Sequence, residues 1–519
     1  MKKITSILLL VIFSLSVNAQ ITFQKTFGGI NNDEANYIQQ TSDGDYIIAG
    51  SSYNFVSGFN KDAYLIKTDA SGNMLWNKTY GNTCDEEATC VQQTFDGGYI
   101  ISGYYSFNSI SQHRGFLIKT NSTGDTIWTK IYGNEIDFLF TVRQVSDGGY
   151  IAGGQDISGI SYGFAVLLRV DNTGNVLWSQ KYGNGLSTDN LLTIYEVQQT
   201  TDGGYIASGN CGCGNCPLFL LKLNSAGITL WTKIYSPYLF SGNSVQQTFD
   251  GGYIIGGFYH SGGINDGAVF IKTDANGNIV WFKVYAMDNW GQVKYLRQTR
   301  SGEYISLLES NKIFALKIDA SGNFLWCKKY QPAGGEQAQC IQQTNDDGFV
   351  FTGNGLQLSS YSCVFLIKTD SNGISGCNEM PFLISATSPS ITVQNALCPI
   401  TALNIVASPL LFIYVNSSAT VESTLCATFV NDKSSSPNEI SIYPNPMDNF
   451  FNLEFQADGA GLSKIELYNL LGQVVLEKNF QIQQGENKLS FEISIIPAGV
   501  YLLNIQTNKS SFVKMMIKK

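Results

Sequence analysis

The chain has 519 residues and a formal net charge of −9, with 44% hydrophobic and 14% charged side chains. Its 52 glycines, 27 tyrosines and 31 phenylalanines are typical of an all-β protein with many tight turns. Disordered chains have few aromatic residues, and nucleic-acid-binding proteins usually carry a basic surface. The composition therefore excludes a disordered chain and predicts no nucleic-acid partner.

The first 19 residues have the pattern of a secretory signal peptide. Lys2 and Lys3 precede an apolar run over residues 4–17, and small residues end the segment. The run is shorter than the roughly 20 residues that a membrane-spanning helix needs. We therefore expect 1–19 to be cleaved on export, and no transmembrane segment in the mature chain.

A unit of about 50 residues recurs seven times within residues 20–377. Each unit contains a string such as VQQTFDGGYIISG and then a string such as KTDASGNMLW. The Asp-Gly and Ser-Gly-Asn segments favour hairpin turns, so each unit holds four short strands. Four strands in a unit of this length are typical of a β-propeller blade.

The two ends of the repeat array complete one another. The seventh unit lacks its last strand, because GISGC stands where the tryptophan string is expected. The segment ITFQKTFGG supplies this strand from the mature N-terminus, with Phe23 in the place of Trp76. A ring closed in this way has no open sheet edge. The predicted fold is all-β: a seven-bladed β-propeller whose N-terminal strand closes the last blade, followed by a linker and a small C-terminal β-sandwich.

The repeat resembles the Gly-Asp propeller repeats of many exported bacterial proteins. Its Asp-x-x-Gly-x-x-x-Trp hairpin, for example at 69–76, is also similar to the Asp-box of sialidases and to the tryptophan-docking repeat of quinone dehydrogenases. Those hairpins are scaffold in their own families, so the resemblance implies a fold and no activity.

Residues shared by all blades are expected to be structural, because pseudo-symmetry alone does not build an asymmetric site. The second glutamine of each Gln-Gln pair, such as Gln40, is expected to satisfy backbone groups near the channel. Third-strand lysines such as Lys67 are expected either to lie along the strands or to pair with carboxylates. Function is expected where the blades differ, in loops that converge on one rim.

These variable loops are rich in aromatic residues, which suit stacking on sugars or anchoring a partner protein. Ordinary packing over the blade edges is the alternative for each ring. The predicted binding residues are Tyr53, Tyr104, Tyr105, Tyr162, Tyr259, Trp290 and Tyr361.

No motif in the chain predicts a cofactor, a metal site or a catalytic residue. Acidic loop residues make calcium a candidate ion, but no loop has the EF-hand spacing. The Cys213–Cys216 pair lacks a second pair, which favours a loop disulfide over zinc in an exported protein. The chain has no nucleophile motif, and its two histidines, His113 and His260, belong to different blades. A carboxylate pair that acts as the acid and base of a glycosidase has no sequence motif, so an enzyme stays an alternative.

Two further regions follow the repeats. Residues 378–437 carry no repeat and are rich in Ser, Thr and Pro, which predicts a linker or a small accessory β region. Over 438–519, strand-like segments alternate with Pro-Asn-Pro, Leu-Gly-Gln and Pro-Ala-Gly turns, which predicts a sandwich of about seven strands.

Region 438–519 closely resembles the type A C-terminal sorting domain of the type IX secretion system. The resemblance implies handling by that secretion machinery and by its sortase-like peptidase, which in the family removes the domain and links the cargo to surface lipopolysaccharide. It thus implies a protein that is secreted or attached to the outer-membrane surface; an ordinary β-sandwich is the alternative. The residues that carry the resemblance include Tyr443, Pro444, Asn445, Pro446, Gly472, Gly499, Tyr501, Lys518 and Lys519.

We therefore predict an exported propeller that acts as a binding or adhesion module for a glycan or a protein. The alternatives are a carbohydrate-active hydrolase or lyase with acidic rim residues and a structural surface-layer component. Paired rim carboxylates would favour the enzyme, an aromatic-lined rim would favour binding, and a featureless rim would favour the structural role.

Overall fold

The chain folds into two compact units, Met1–Phe429 and Val430–Lys519, and every described element is a β-strand. Within the described residues, no helix is long and apolar enough to cross a bilayer. The computed structural model describes residues 20–519 apart from 30, 55–59, 107–111, 134–135, 158–162, 184–191, 212–216, 237, 263–265, 288–290, 332–333, 357–360, 377–378, 383, 385, 390–391, 396–399, 403–406, 410–412, 416–420, 429–440, 444–449, 458–459, 469–473, 494–495, 498, 507–510 and 519.

The first unit is a β-propeller of seven blades, and each blade is built from four antiparallel strands. Strand β1 (Thr22–Gly28) pairs with the third strand of blade 7, so the N-terminal segment closes the ring as predicted. Blade 1 consists of β2 (Asp33–Gln40), β3 (Tyr46–Asn54), β4 (Asn60–Thr68) and β5 (Met74–Gly81), and blade 2 of β6 (Asp85–Gln93), β7 (Tyr99–Ser106), β8 (His113–Thr120) and β9 (Thr126–Tyr132). Blade 3 consists of β10 (Phe138–Gln144), β11 (Tyr150–Asp156), β12 (Phe164–Val170) and β13 (Val176–Tyr182), and blade 4 of β14 (Leu192–Gln199), β15 (Tyr205–Cys211), β16 (Leu218–Leu223) and β17 (Thr229–Ser236). Blade 5 consists of β18 (Leu239–Gln247), β19 (Tyr253–Tyr259), β20 (Gly267–Thr273) and β21 (Ile279–Ala286), and blade 6 of β22 (Gln292–Gln298), β23 (Tyr304–Glu309), β24 (Ile313–Ile318) and β25 (Phe324–Tyr330). Blade 7 consists of β26 (Gly334–Gln343), β27 (Phe349–Leu356), β28 (Ser362–Thr369) and β1.

An aromatic pair joins each blade to the next. The tryptophan of the fourth strand, or Phe23 in blade 7, packs against a ring that begins the second strand of the following blade, with centroids 5.8–6.3 Å apart. Such pairs contribute about 0.5–1.5 kcal/mol each beyond the area they bury. The pairs are Phe23–Tyr46, Trp76–Tyr99, Trp128–Tyr150, Trp178–Tyr205, Trp231–Tyr253, Trp281–Tyr304 and Trp326–Phe349.

The turn glycine opposite each tryptophan is required by both backbone and packing. Gly124 has a φ of +79°, and a Cβ built on it would lie 2.9 Å from the ring of Trp76. Its carbonyl accepts a 2.6 Å hydrogen bond from the hydroxyl of Tyr80 in the preceding blade. The recurring Trp, Tyr and Gly therefore form one interblade joint.

The repeated glutamines form a second ring of interblade bonds. The second glutamine of each pair accepts, through Oε1, the backbone N–H of a turn residue in the preceding blade; Gln93, for example, accepts from Ser42 at 2.8 Å. The ring closes between blades 1 and 7, where Gln40 accepts from the N–H of Asn345 at 2.8 Å. The other acceptors are Gln144, Gln199, Gln247, Gln298 and Gln343.

A buried cation of the third strand pairs with an acidic turn residue in every blade. Lys272, for example, has a side chain 5% exposed and lies 2.9 Å from the carboxylate of Asp250. Of the two expectations for these lysines, pairing with carboxylates is the one that the structure shows. The remaining pairs are Lys67–Asp43, Lys119–Asp96, Arg169–Asp147, Lys222–Asp202, Lys317–Glu303 and Lys368–Asp346.

The segment after the repeats encircles the propeller. Each of its short strands adds a fifth, outermost strand to one blade, and the blades are visited in reverse order from 6 to 1 before blade 7. We call residues 379–428 the strap. Its strands are β29 (Glu379–Pro381) on β25, β30 (Ala386–Thr387) on β21, β31 (Thr392–Asn395) on β17, β32 (Ile400–Ala402) on β13, β33 (Ala407–Pro409) on β9, β34 (Ile413–Val415) on β5 and β35 (Val421–Thr428) on β1.

The second unit is the predicted β-sandwich of a three-stranded and a four-stranded sheet. Phe451 and Leu453 of the first sheet share a core with Ile465 and Leu503 of the second. The first sheet contains β36 (Ser441–Tyr443), β37 (Phe450–Ala457) and β40 (Gly485–Glu492), and the second contains β38 (Gly461–Tyr468), β39 (Val474–Ile482), β41 (Gly499–Gln506) and β42 (Ser511–Lys518).

Candidate functional site

The innermost strand of every blade has a β-bulge at the same place. The bulges lie around the central channel, near the rim on which the variable loops converge. A bulge leaves one residue out of the strand ladder and re-aims its side chain, which is why bulges are frequent beside active sites. All seven bulge residues line a cavity of about 260 Å³, which we call the upper chamber. They are Asn36, Thr89, Phe140, Tyr195, Asn243, Lys294 and Gln339. The fold therefore brings seven side chains of six different types to one place.

A row of half-buried aromatic rings borders the upper chamber across blades 2 to 4. The rings of Tyr104 and Phe138 lie 4.7 Å apart between centroids, and Phe138 stacks on Phe140 at 5.7 Å with an interplanar angle of 4°. Phe140 in turn contacts Tyr195 at 5.8 Å, and His113 lies 4.5 Å from Phe138. We call these five residues the aromatic row.

Polar groups are fixed beside the aromatic row. The carboxylate of Glu87, which lines the chamber, accepts hydrogen bonds from Lys61 at 2.8 Å, Tyr104 at 3.0 Å and Asn36 at 2.9 Å. Lys61 also bonds Glu34 at 2.7 Å. Burial disfavours the charged amine, but the two carboxylates outweigh this and hold the pKa of Lys61 above its usual range. The chamber thus combines rigid rings with oriented polar atoms.

Below the upper chamber, two arginines interrupt the glutamine repeat. Arg143 and Arg297 pair with Ile151 and Ile305, as Gln39 pairs with Ile47 in blade 1. Both guanidinium groups contact the carboxylate of Glu196, and we call the cluster of Arg143, Arg297, Glu196, Tyr37 and Tyr295 the waist of the channel. Tyr37 and Arg143 line both the upper chamber and a second cavity of about 450 Å³, which we call the lower chamber. The lower chamber lies toward the rim that carries the tight turn between the first and second strands of each blade.

Glu196 is the anion of the waist and is 2% exposed. Its carboxylate accepts hydrogen bonds from Arg143 at 3.0 Å, from Ser244 at 2.8 Å and from the N–H of Val245 at 3.0 Å, and it also bonds Arg297. Burial opposes ionisation of this carboxyl, but the guanidinium groups of Arg297 and Arg143 outweigh burial and hold the pKa of Glu196 below its usual range. Glu196 is therefore ionised at neutral pH.

Two phenols complete the waist. Tyr37 and Tyr295 share a hydrogen bond between their hydroxyls, and their rings meet edge-to-face at 5.5 Å. Arg143 donates to the hydroxyl of Tyr37 at 2.8 Å, and the guanidinium of Arg297 lies 3.9 Å from the ring centroid of Tyr295. Burial raises the pKa of both phenols, so they remain neutral. With two arginines and one glutamate, the waist carries one surplus positive charge.

The predicted rim residues fall into three groups. Tyr104 belongs to the aromatic row, whereas Tyr53 and Tyr361 are exposed at 38% and 43%. Tyr105 and Tyr259 are buried at 5% and 6% exposure, because each packs into a hydrophobic cluster that contains residues of more than one blade. Tyr162 and Trp290 lie outside the described residues. The set as a binding surface stays a prediction.

Sequence reasoning missed the residues at the centre of the channel. The signal for the arginines was present, because VRQ and LRQ replace the usual Gln-Gln in blades 3 and 6. Glu196 and the bulge residues also occupy positions at which the seven repeats differ. Their grouping in one chamber depends on the β-bulges, which no composition pattern reveals.

Two buried carboxylate pairs lie outside the lining of both chambers. Burial, with a contribution from Asp156, raises the pKa of Asp137 to about 6, and burial also raises the pKa of Glu86, beside Asp62, to about 9. Within the described residues, no group of three or more His, Cys, Asp or Glu side chains is arranged to hold a metal ion. The loop with Cys213 and Cys216 lies outside the described residues.

In the second unit, the sorting residues that are described are parts of the fold. The hydroxyl of Tyr501 in β41 donates to the carbonyl of Pro497 at 2.7 Å, and Gly499 begins the same strand. The buried ammonium of Lys518 donates to the carbonyls of Ile493 and Ile496. Tyr443 ends β36, whereas Pro444, Asn445, Pro446, Gly472 and Lys519, like the predicted signal peptide, lie outside the described residues.

Comparison with known proteins yields one family match. Residues 441–519 match the secretion system C-terminal sorting domain. No curated protein matches the chain.

Three crystal structures are similar to the chain at low identity. A protein of unknown function from Bacteroides caccae has 13% identity and a TM-score of 0.34, over 59% of this chain and 93% of that one. Sqt1 from Chaetomium thermophilum has 11% identity and a TM-score of 0.39, over 63% and 81%. A protein of unknown function from Dyadobacter fermentans has 10% identity and a TM-score of 0.36, over 66% and 98%.

The strand pairing of this chain and the family match agree with the two parts predicted from the sequence. The chain is a seven-bladed β-propeller protein that carries a type IX secretion system C-terminal sorting domain at residues 441–519, which implies a secreted or cell-surface protein.

Proposed function

We propose that the propeller is a binding module for glycans, and that the upper chamber with the aromatic row is its binding face. The sorting domain delivers it through the type IX machinery, and removal of that domain by the sortase-like peptidase leaves the propeller at the outer-membrane surface or released from it. The observation that carries the proposal is the aromatic row beside a polar chamber built from non-repeated residues.

The geometry suits a carbohydrate. The flat apolar face of a sugar ring packs on aromatic side chains, and its hydroxyls need oriented donors and acceptors. Phe138 and Phe140 offer parallel rings, while Glu87, Asn36 and Asn243 offer polar atoms of both kinds. Because these side chains differ between blades, they distinguish one ligand orientation from another.

The chamber is less suited to glycoside hydrolysis. A glycosidase needs one carboxyl that holds a proton near neutral pH, next to a second carboxylate. Among the described lining residues, the carboxylates are those of Glu87, which is ion-paired with Lys61, and of Glu196, whose pKa the two arginines hold low. The arrangement therefore favours binding over hydrolysis.

A glycan array and polysaccharide pull-down on the mature chain from residue 20, with and without calcium, tests the proposal. We expect a reproducible glycan ligand whose affinity falls about tenfold in Phe140→Ala or Tyr195→Ala, since a stacked ring contributes on the order of 1 kcal/mol. Phe249→Ala is the matched control, because Phe249 is 72% exposed and does not line the chamber. Silence across the array, or equal losses in all three variants, would contradict the proposal.

A further inference from the structure

The lower chamber has two guanidinium groups and several glutamine amides, and no carboxylate, among its described lining residues. It lies on the opposite side of the waist from the aromatic row and has a volume of about 450 Å³, within the range of small-molecule sites. Its lining includes Gln39, Gln92, Phe95, Arg143 and Arg297.

Two of its glutamines are oriented without ambiguity. The Oε1 of Gln39 accepts the backbone N–H of Gln93 at 2.6 Å, and the Oε1 of Gln92 accepts that of Gln144 at 2.6 Å. A backbone N–H is only a donor, so the amide oxygen must face it and the NH₂ group must face away. Neither Nε2 group meets an acceptor in the described part of the chain, and both side chains line the chamber.

The charge at the upper wall of this chamber is not balanced. Arg143 and Arg297 both line the chamber, with side chains 12% and 13% exposed, and among the described residues they share a single carboxylate partner, Glu196. Glu196 lines the upper chamber and not the lower one. A surplus charge that is largely removed from water is costly unless a counter-charge approaches it.

An exposed ring stands at the lower mouth. Phe95 is 75% exposed and belongs to the lining, whereas the equivalent Phe249 of blade 5 is 72% exposed and does not. An apolar face next to cationic and amide donors fits a molecule that has both a ring and an anionic group.

We propose that the lower chamber is a second binding site, which takes an organic carboxylate of about the size of a sugar acid. The carboxylate accepts hydrogen bonds from the NH₂ groups of Gln39 and Gln92 and offsets the surplus charge of the two arginines. The body of the ligand packs against Phe95. This site is separate from the glycan face of the upper chamber.

Isothermal titration of the mature chain with glucuronate, and with glucose as the neutral match, tests the proposal at constant ionic strength. We expect saturable binding of glucuronate and none of glucose. Gln92→Glu keeps the oxygen that accepts from Gln144 but replaces the NH₂ donor by a negative oxygen. It should therefore fold normally and weaken glucuronate binding about tenfold or more, because charge-assisted hydrogen bonds are strong.

Two pairs of variants show whether glucuronate binds in the lower chamber. Gln339→Glu adds the same charge at the upper chamber and should change glucuronate affinity much less than Gln92→Glu. Phe95→Ala should weaken binding about threefold, and Phe249→Ala should leave it unchanged. Absence of glucuronate binding, equal binding of glucose, or equal effects of Gln92→Glu and Gln339→Glu would overturn the proposal. None of these results depends on the array experiment, whose two ring variants, Phe140→Ala and Tyr195→Ala, lie in the upper chamber.

Discussion

Placing a carboxylate between two guanidinium groups removes three charges from water, and the cost is met only if all of them are well paired. Glu196 meets this condition, since it accepts from both arginines, from the hydroxyl of Ser244 and from the N–H of Val245. Its carboxylate lines the upper chamber, as Arg143 does, whereas Arg297 lines the lower chamber and not the upper one.

Glu196→Gln should lower the free energy of unfolding by about 3 kcal/mol at neutral pH, because it leaves two buried cations without their anion. The folded-state pKa of Glu196 is depressed, so its contribution is present above the unfolded pKa of about 4.5 and is lost as the pH falls through the folded pKa. Urea unfolding of wild type and variant, from pH 7 down to pH 3, should show the difference shrinking with acidification.

Glu303→Gln is the control for that series. Glu303 pairs with Lys317, and its side chain is 30% exposed, so its removal should cost no more than about 1 kcal/mol. Equal costs for the two variants, or a cost of Glu196→Gln that grows toward acid pH, would contradict the account of the waist.

At the scale of elements, the strap covers the outer edge of every blade. Ring closure alone does not remove the open edges, contrary to the expectation from the sequence, because without the strap the fourth strand of every blade would present unpaired backbone groups to solvent and invite pairing with other chains. Its longest strand, β35, pairs with β1 over the seven residues from Thr22 to Gly28. Because β1 is also the strand that closes blade 7, β35 holds the closing strand from its outer side.

Truncation after residue 377 should therefore lower the melting temperature of the propeller by about 5 °C or more, relative to truncation after residue 429. The second truncation removes only the sandwich, which forms its own compact unit, and should leave the propeller transition unchanged. Scanning calorimetry of residues 20–377, 20–429 and 20–519 provides the comparison. Equal melting temperatures for the two shorter chains would show that the strap does not stabilise the ring.

At the scale of the whole molecule, the sequence predicted what is repeated and missed what depends on register. The seven blades and the closure by Phe23 were predictable, because their turns and aromatic positions recur in the printed chain. The strap was not, because most of its strands have two to four residues and pair through the backbone, which leaves no periodic pattern. Phe140 and Tyr195 were missed because only a bulge turns them toward the channel.

The whole molecule combines a symmetric shell with an asymmetric channel. Interblade rings, glutamines and ion pairs recur in every blade and hold the scaffold, while the bulge residues and the waist differ from blade to blade. A rigid scaffold that presents unlike side chains at one rim is a general arrangement for recognition. The proposed ligand recognition at the upper chamber depends on this arrangement.

Hydrogen–deuterium exchange with and without the glycan ligand found on the array tests this claim most directly. We expect slower amide exchange in peptides that contain Thr89, Phe140 and Tyr195, and unchanged exchange in the tight turns and in the strap. Protection confined to the tight turns or to the strap, with the bulge peptides unaffected, would contradict it.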